Sequence, residues 1–336
     1  MKRIPTLDGW RGIAILLVLI DHVLQAELKG RQPAWTGTGQ HGVTVFFVLS
    51  GFLITSRLLE NPINLKQFYI RRFFRLMPVA WTYLAVILLL QWRLRLSLIS
   101  FSEVSKCLLF CRNYYGDMGG VQLGFHFWSL SLEEQFYLVW PVVLLLAGVR
   151  RARWVAAVGI LGVAAWRYTH WAVYDSGGTF VFRTEVRADA LLCGCLLALL
   201  LADGRIRLFV VRWSRVWWAP ALAAFAFCFT RFHTLPPLYE SVCITALIAS
   251  STLHPASLLA RPLSFQALVR LGAISYSIYV WQQLFLSIHG PLMLLSVCVL
   301  MPLTILGSYE YLELPLIRVG HRLTGRNVRI LSTAHS

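Results

Sequence analysis

The feature that most constrains this chain is a series of apolar runs, each about long enough to cross a bilayer, repeated from one end to the other. Ten can be read, over residues 12–28, 42–59, 77–91, 135–149, 154–171, 188–202, 216–230, 240–253, 274–289 and 291–312. A transmembrane helix needs roughly 17–25 residues, so several runs are short, and 240–253 is the weakest. Hydrophobic residues make up 57% of the 336, charged residues only 14%, and the mean hydropathy is +0.64. No stretch between the runs is long enough for a separate soluble domain. The expectation is an all-α, polytopic integral membrane bundle of about ten transmembrane helices. It forms one domain over 1–320, followed by a basic tail over 321–336.

The charges orient this bundle. Lys2 and Arg3 precede the first run, and basic residues favour the cytoplasmic side. With ten spans both termini then lie inside, and twenty of the 31 Lys and Arg residues fall in inner loops against ten in outer ones. The first run carries Asp21 and His22 and lacks a small-x-small cleavage site, which argues against a removable signal peptide. The formal net charge is +16, but it is spread over inner loops rather than gathered on one face. It therefore points to membrane lipid headgroups and not to nucleic acid. The seven cysteines have no zinc-type spacing, and no metal is expected. The location that follows is the cell inner (cytoplasmic) membrane, as a multi-pass protein.

Polar residues that cost free energy in such a chain mark candidate sites. Arg11 and His22 are eleven residues apart, close to three helical turns, so they share one face about 16 Å apart. A neutral imidazole past mid-membrane suits general-base work; the plainer reading is a histidine capped by Gln25, helping helices pack. Asp8 belongs to the same cluster. Arg71, Arg72 and Arg75 gather at a cytoplasmic mouth, with Pro78 placed to open the next helix. Clustered guanidinium groups suit a phosphate clamp, and suit a lipid-binding patch equally well. At the outer entrance of the fourth run stand His126, Trp128, Ser129, Ser131, Glu133 and Glu134. Two acids there are paired or functional, or form an N-cap arrangement with the serines. Trp128, Tyr137 and Trp140 fit an interfacial aromatic belt. Arg187-Ala188-Asp189 reads as a structural ion pair.

Taken in order, these stretches resemble the membrane acyltransferase-three family of bacterial O-acyltransferases. Thr6–Ala14 followed by His22 resembles the family's opening Arg-x10-His motif. Residues 42–55 are similar to its second-helix signature, and Arg72-Phe73-Phe74-Arg75 with Pro78 to its Arg-x-x-Arg-x-x-Pro element. Residues 128–141 resemble its Trp-Ser-Leu-x-x-Glu-Glu-Gln-Phe-Tyr block. Residues 187–198, 274–281 and 311–315 resemble later stretches. Thr44 stands where members usually carry Asp, and Gln282 where many carry His. Nothing after residue 320 resembles the extracytoplasmic hydrolase-like domain fused to some members.

The resemblance implies an O-acyltransferase with no permanently bound cofactor. Its donor would be acyl-CoA, acetyl-CoA in first place, and its acceptor an extracytoplasmic saccharide or lipid-linked glycan. On that reading His22, Arg11 and Glu133 are catalytic, while Arg72, Arg75 and Arg71 hold the donor. His126, Trp128, Asp8 and Ser129 then support the acceptor side. The other class that would use the same intramembrane polar groups is a transporter or flippase for a glycan or lipid carrier.

Overall fold

A computed structural model describes residues 4–28, 38–60, 63–115, 122–174, 178–229, 237–288 and 295–325. Every regular element among them is helical. The long helices are α1 (Pro5–Leu28), α2 (Thr38–Leu59), α3 (Leu65–Leu94), the short α4 (Phe101–Leu108) and α5 (Phe127–Tyr174). They continue with α6 (Thr184–Leu201), α7 (Gly204–Phe227), α8 (Pro237–Leu253), α9 (Ala260–Leu263), α10 (Gln266–Ala273) and α11 (Ser275–Leu286). The last is α12 (Ser296–Leu323). Four of these, α2, α3, α5 up to His170, and α12, are long and apolar enough to cross a membrane.

Each of the ten apolar runs overlaps a helix, although the helix ends differ. Helix α5 covers the fourth and fifth runs together, and Gly148 (φ 68°) breaks it between them. Positive φ is a glycine conformation, so the turn is encoded locally. Pro78 does not open a helix: it lies inside α3, as Pro141 lies inside α5. A proline loosens the turn before it by removing one backbone donor. In both helices a carbonyl of that turn takes a tyrosine hydroxyl, Tyr276 donating to Leu76 O (2.6 Å) and Tyr69 to Leu138 O (2.8 Å). Neither is the carbonyl four residues before the proline, so these bonds tie the helices to their neighbours and do not replace the lost one. Helix α12 contains two π-helical stretches, Ser296–Leu300 and Ser308–Glu313.

Close packing comes from small residues. Helices α2 and α6 cross with Gly51 against Leu191 and Gly194 against Val48. A Cβ on either glycine would stand 1.9 or 2.0 Å from the facing carbonyl oxygen. This is the small-residue contact that lets apolar helices associate where the hydrophobic effect is weak. Helix α1 packs on α2 and α10, α5 on α6, α7 on α8, and α3 on α12.

Contacts between elements distant in the chain tie the loops together. Arg153 pairs with Asp203 (2.9 Å), and Gly320 of α12 abuts Phe74 of α3. His41 meets Glu240 (3.0 Å), and Asn113 meets Thr184 (2.9 Å). Lys2, Arg3, Arg326 and Arg329, used in the charge count, lie outside the described residues, as does most of the 321–336 tail.

Candidate functional site

His22 sits on α1 six residues before its end, where α1 meets the start of α2. Gln283 of α11 brings its amide nitrogen to 3.4 Å from His22 Nδ1. Gln25 does not cap this histidine; it donates instead to Asp21 Oδ2 (2.8 Å). At i+4 the acid outcompetes the imidazole because a charged acceptor makes the stronger bond. His22 opens into a cavity of about 550 Å³ that His126, Trp128, Tyr279 and Gln283 also line. The mouth is polar, with Ser100, Ser102, Glu103 and Lys106 from the 97–106 segment. Glu103 is held there by Lys106 (2.8 Å) and Arg112 (2.6 Å). Nothing in the sequence tied this segment to His22, since its residues resemble any polar loop.

The neighbours of His126 are now specific. Ser129 Oγ donates to His126 O (3.2 Å) and meets the Tyr279 hydroxyl at 2.5 Å. Ser131 donates to Phe127 O (2.8 Å). Both serines therefore lie within the helix and neither caps it. The expected aromatic belt also turns inward: Trp128, Tyr137 and Trp140 are buried. Trp128 packs 4.7 Å from Phe182 at the cavity wall, and Trp140 donates to Thr55 Oγ1 (2.8 Å).

Arg72 and Glu133, expected at opposite mouths, meet. Arg72 Nε reaches Glu134 Oε1 at 3.3 Å and its other end reaches Glu133 Oε1 at 3.8 Å. Its guanidinium lies 3.5 Å over the Tyr137 ring. Glu133 Oε1 also accepts from Ser50 and from the Tyr137 hydroxyl (2.5 Å). The difference arises because α3 begins at Leu65, well before the apolar run, which carries Arg72 inward along the helix. A guanidinium committed to two carboxylates and a ring has little left for a phosphate. Glu134 shares the same arginine.

The remaining basic groups gather beyond this network. Arg11 pairs with Asp8 (3.3 Å) and not with the His22 region. Arg75, Arg11 and Arg57 lie near enough to repel one another. Arg57 was missed by sequence reasoning, because a lone arginine at a helix end reads as an orientation signal. Glu313 at the end of the second π stretch faces Arg75 and accepts from Ser277 Oγ (2.7 Å).

Two other expectations change. Asp189 pairs with Arg167 (2.9 Å), while Arg187 donates to Gln40 Oε1 (2.7 Å), so the two are not each other's hydrogen-bond partners. Thr44, where a family carboxylate was expected, donates to Gln40 O (3.0 Å) along its own helix. Gln282 is fully buried, with neither amide atom hydrogen-bonded among the described residues.

Known proteins share this chain's pattern. It is 32% identical to the peptidoglycan O-acetyltransferase OatA of Listeria monocytogenes, over 87% of this chain and 51% of that protein. It is 31% identical to the putative peptidoglycan O-acetyltransferase YrhL of Bacillus subtilis, over 98% and 57%. A putative O-acetyltransferase of Staphylococcus aureus strain COL is 30% identical over 95% and 58%. The chain thus spans between about half and three fifths of the length of these relatives. No solved structure matches it. A family model described as an acyltransferase domain matches residues 4–311, and the chain belongs to that family.

Proposed function

We propose that the chain is an integral-membrane O-acyltransferase that moves an acetyl group from acetyl-CoA to a hydroxyl of an extracytoplasmic saccharide. In this reading ten spans cross the cytoplasmic membrane, with both termini inside. The observation that carries it is the cavity where His22 and His126 face one space under a polar mouth. The names of the relatives point to O-acetylation, and for two of them to peptidoglycan.

The acceptor hydroxyl enters from the mouth and gives its proton to His22, acting as general base. The donor comes from the opposite end, where Arg75, Arg11, Arg57 and Arg71 take its phosphates as charge-assisted acceptors. Glu133, Glu134 and Tyr137 hold Arg72, which in turn fixes the crossing of α3 and α5. Asp8 orients Arg11. Trp128 and Ser129 shape the wall on the acceptor side. Direct attack on the thioester uses these groups alone.

The test is transfer by purified protein in liposomes, with radiolabelled acetyl-CoA outside, peptidoglycan fragments or a lipid-linked disaccharide as acceptor, and no ion gradient. The proposal expects labelled ester in the saccharide. Movement of unmodified saccharide across the bilayer, with no ester formed, would replace it with the transporter reading.

A further inference from the structure

His126 is 1% exposed, lines the cavity, and has no hydrogen bond at Nδ1 or Nε2 among the described residues. The Val280 carbonyl approaches the ring without reaching hydrogen-bond geometry. Three aromatic rings cage it: Phe127 at 5.0 Å, Tyr83 at 5.3 Å and Tyr279 at 5.7 Å between centroids. The cage is apolar and would hold a phenylalanine as well or better. A buried polar side chain with nothing to bond is a cost that folded proteins rarely carry without a reason. His22 lies close enough for the two imidazoles to interact electrostatically, which puts His126 beside the proposed base.

We infer that His126 is a catalytic residue whose ring, turned so that an N–H meets the cavity it lines, donates to the carbonyl oxygen of the acyl thioester. This rests on His22 being the base. When the acceptor oxygen attacks, a C–O bond forms, the carbonyl π pair moves onto its oxygen, and the acceptor proton passes to His22. The N–H of His126 then faces an oxyanion. Collapse restores the carbonyl, breaks the C–S bond, and the leaving thiolate takes the proton back from His22. A donor fixed before the reaction strengthens its bond as the charge develops, which is what lowers the barrier. The charged groups facing this space are Asp21 on α1 and Glu103, Lys106 and Arg112 on the outer segment. None of them hydrogen-bonds the His126 ring among the described residues.

The experiment compares kcat, KM and the pH–rate profile of His126→Phe and His126→Gln with wild type, alongside His22→Ala. Phenylalanine fits the cage and removes the donor; glutamine keeps an N–H. The expected result for His126→Phe is a kcat lower by about 10²–10³, the usual cost of one lost oxyanion donor. Its KM for acetyl-CoA should stay within a few fold, the acid limb of the profile should be unchanged, and His126→Gln should recover part of the loss. Wild-type kcat in a folded His126→Phe protein would overturn the inference and leave a packing role. Loss of the acid limb would overturn it differently, by making His126 the base. Active His22→Ala would sink the proposed base while leaving the His126 comparison readable.

Discussion

Two polar clusters lie along the same bundle, and they differ in how well they are satisfied. Around Arg72 almost every charge has a partner: two carboxylates, a ring face, a serine and a tyrosine hydroxyl. Around His22, by contrast, His126 is buried with neither ring nitrogen hydrogen-bonded among the described residues, and it lines a cavity. A buried polar network that is fully satisfied rigidifies the fold, whereas an unsatisfied buried group is costly and calls for a functional reason. Motif matching gives these clusters equal weight. On the proposed reading, their hydrogen bonding separates a strut from a site.

The comparison breaks most visibly at Arg72. Arg72→Met should leave Glu133 and Glu134 buried without their cation, at a cost of about 3–5 kcal/mol. Thermal melting in detergent should fall accordingly, and adding Glu133→Gln and Glu134→Gln should restore much of it. A variant that melts like wild type but binds acetyl-CoA poorly would turn the strut back into a donor clamp.

Arg75→Ala should act on the donor instead. Losing one charge-assisted phosphate contact costs about 1.5–3 kcal/mol, tenfold or more in affinity. Arg75→Lys should recover only part, because an ammonium lacks the planar fork. Calorimetric titration with a non-hydrolysable acetyl-CoA analogue reads both, and unchanged affinity would leave this end a lipid-facing patch.

The acids should show the smallest effects and sharpen the picture most finely. Glu133 engages Ser50, Tyr137 and Arg72, while the side chain of Glu134 engages Arg72. Glu133→Gln should therefore destabilise by about 1 kcal/mol more than Glu134→Gln, on the scale of one or two hydrogen bonds. Melting of the two variants side by side decides it, and the reverse order would assign Arg72 mainly to Glu134.

Much of the architecture was legible because it is local. Periodic apolar runs located every long helix, and eleven residues put Arg11 and His22 on one face. Helix ends were less so: Arg72 moved inward because α3 starts twelve residues before its apolar run. The Arg72–Glu133 contact joins positions 61 apart, and nothing in either segment encodes the other. Gln283 and the 97–106 segment reach His22 only through tertiary packing. Pro78 reads as a helix start because the turns of α3 that precede it, from Leu65, lie outside the apolar run. The orphaned state of His126 is invisible in sequence, since it is a property of everything around it.

The central claim is that chemistry happens at the incomplete cluster. Turnover of His22→Gln, normalised to folded protein by its melting curve in the same detergent, tests it most directly. Glutamine keeps the size and polarity of the side chain but cannot take a proton near neutral pH. The account predicts a wild-type melting curve with acetyl transfer lowered by about 10²–10⁴, the range for a lost general base. Wild-type turnover in that folded variant would contradict it.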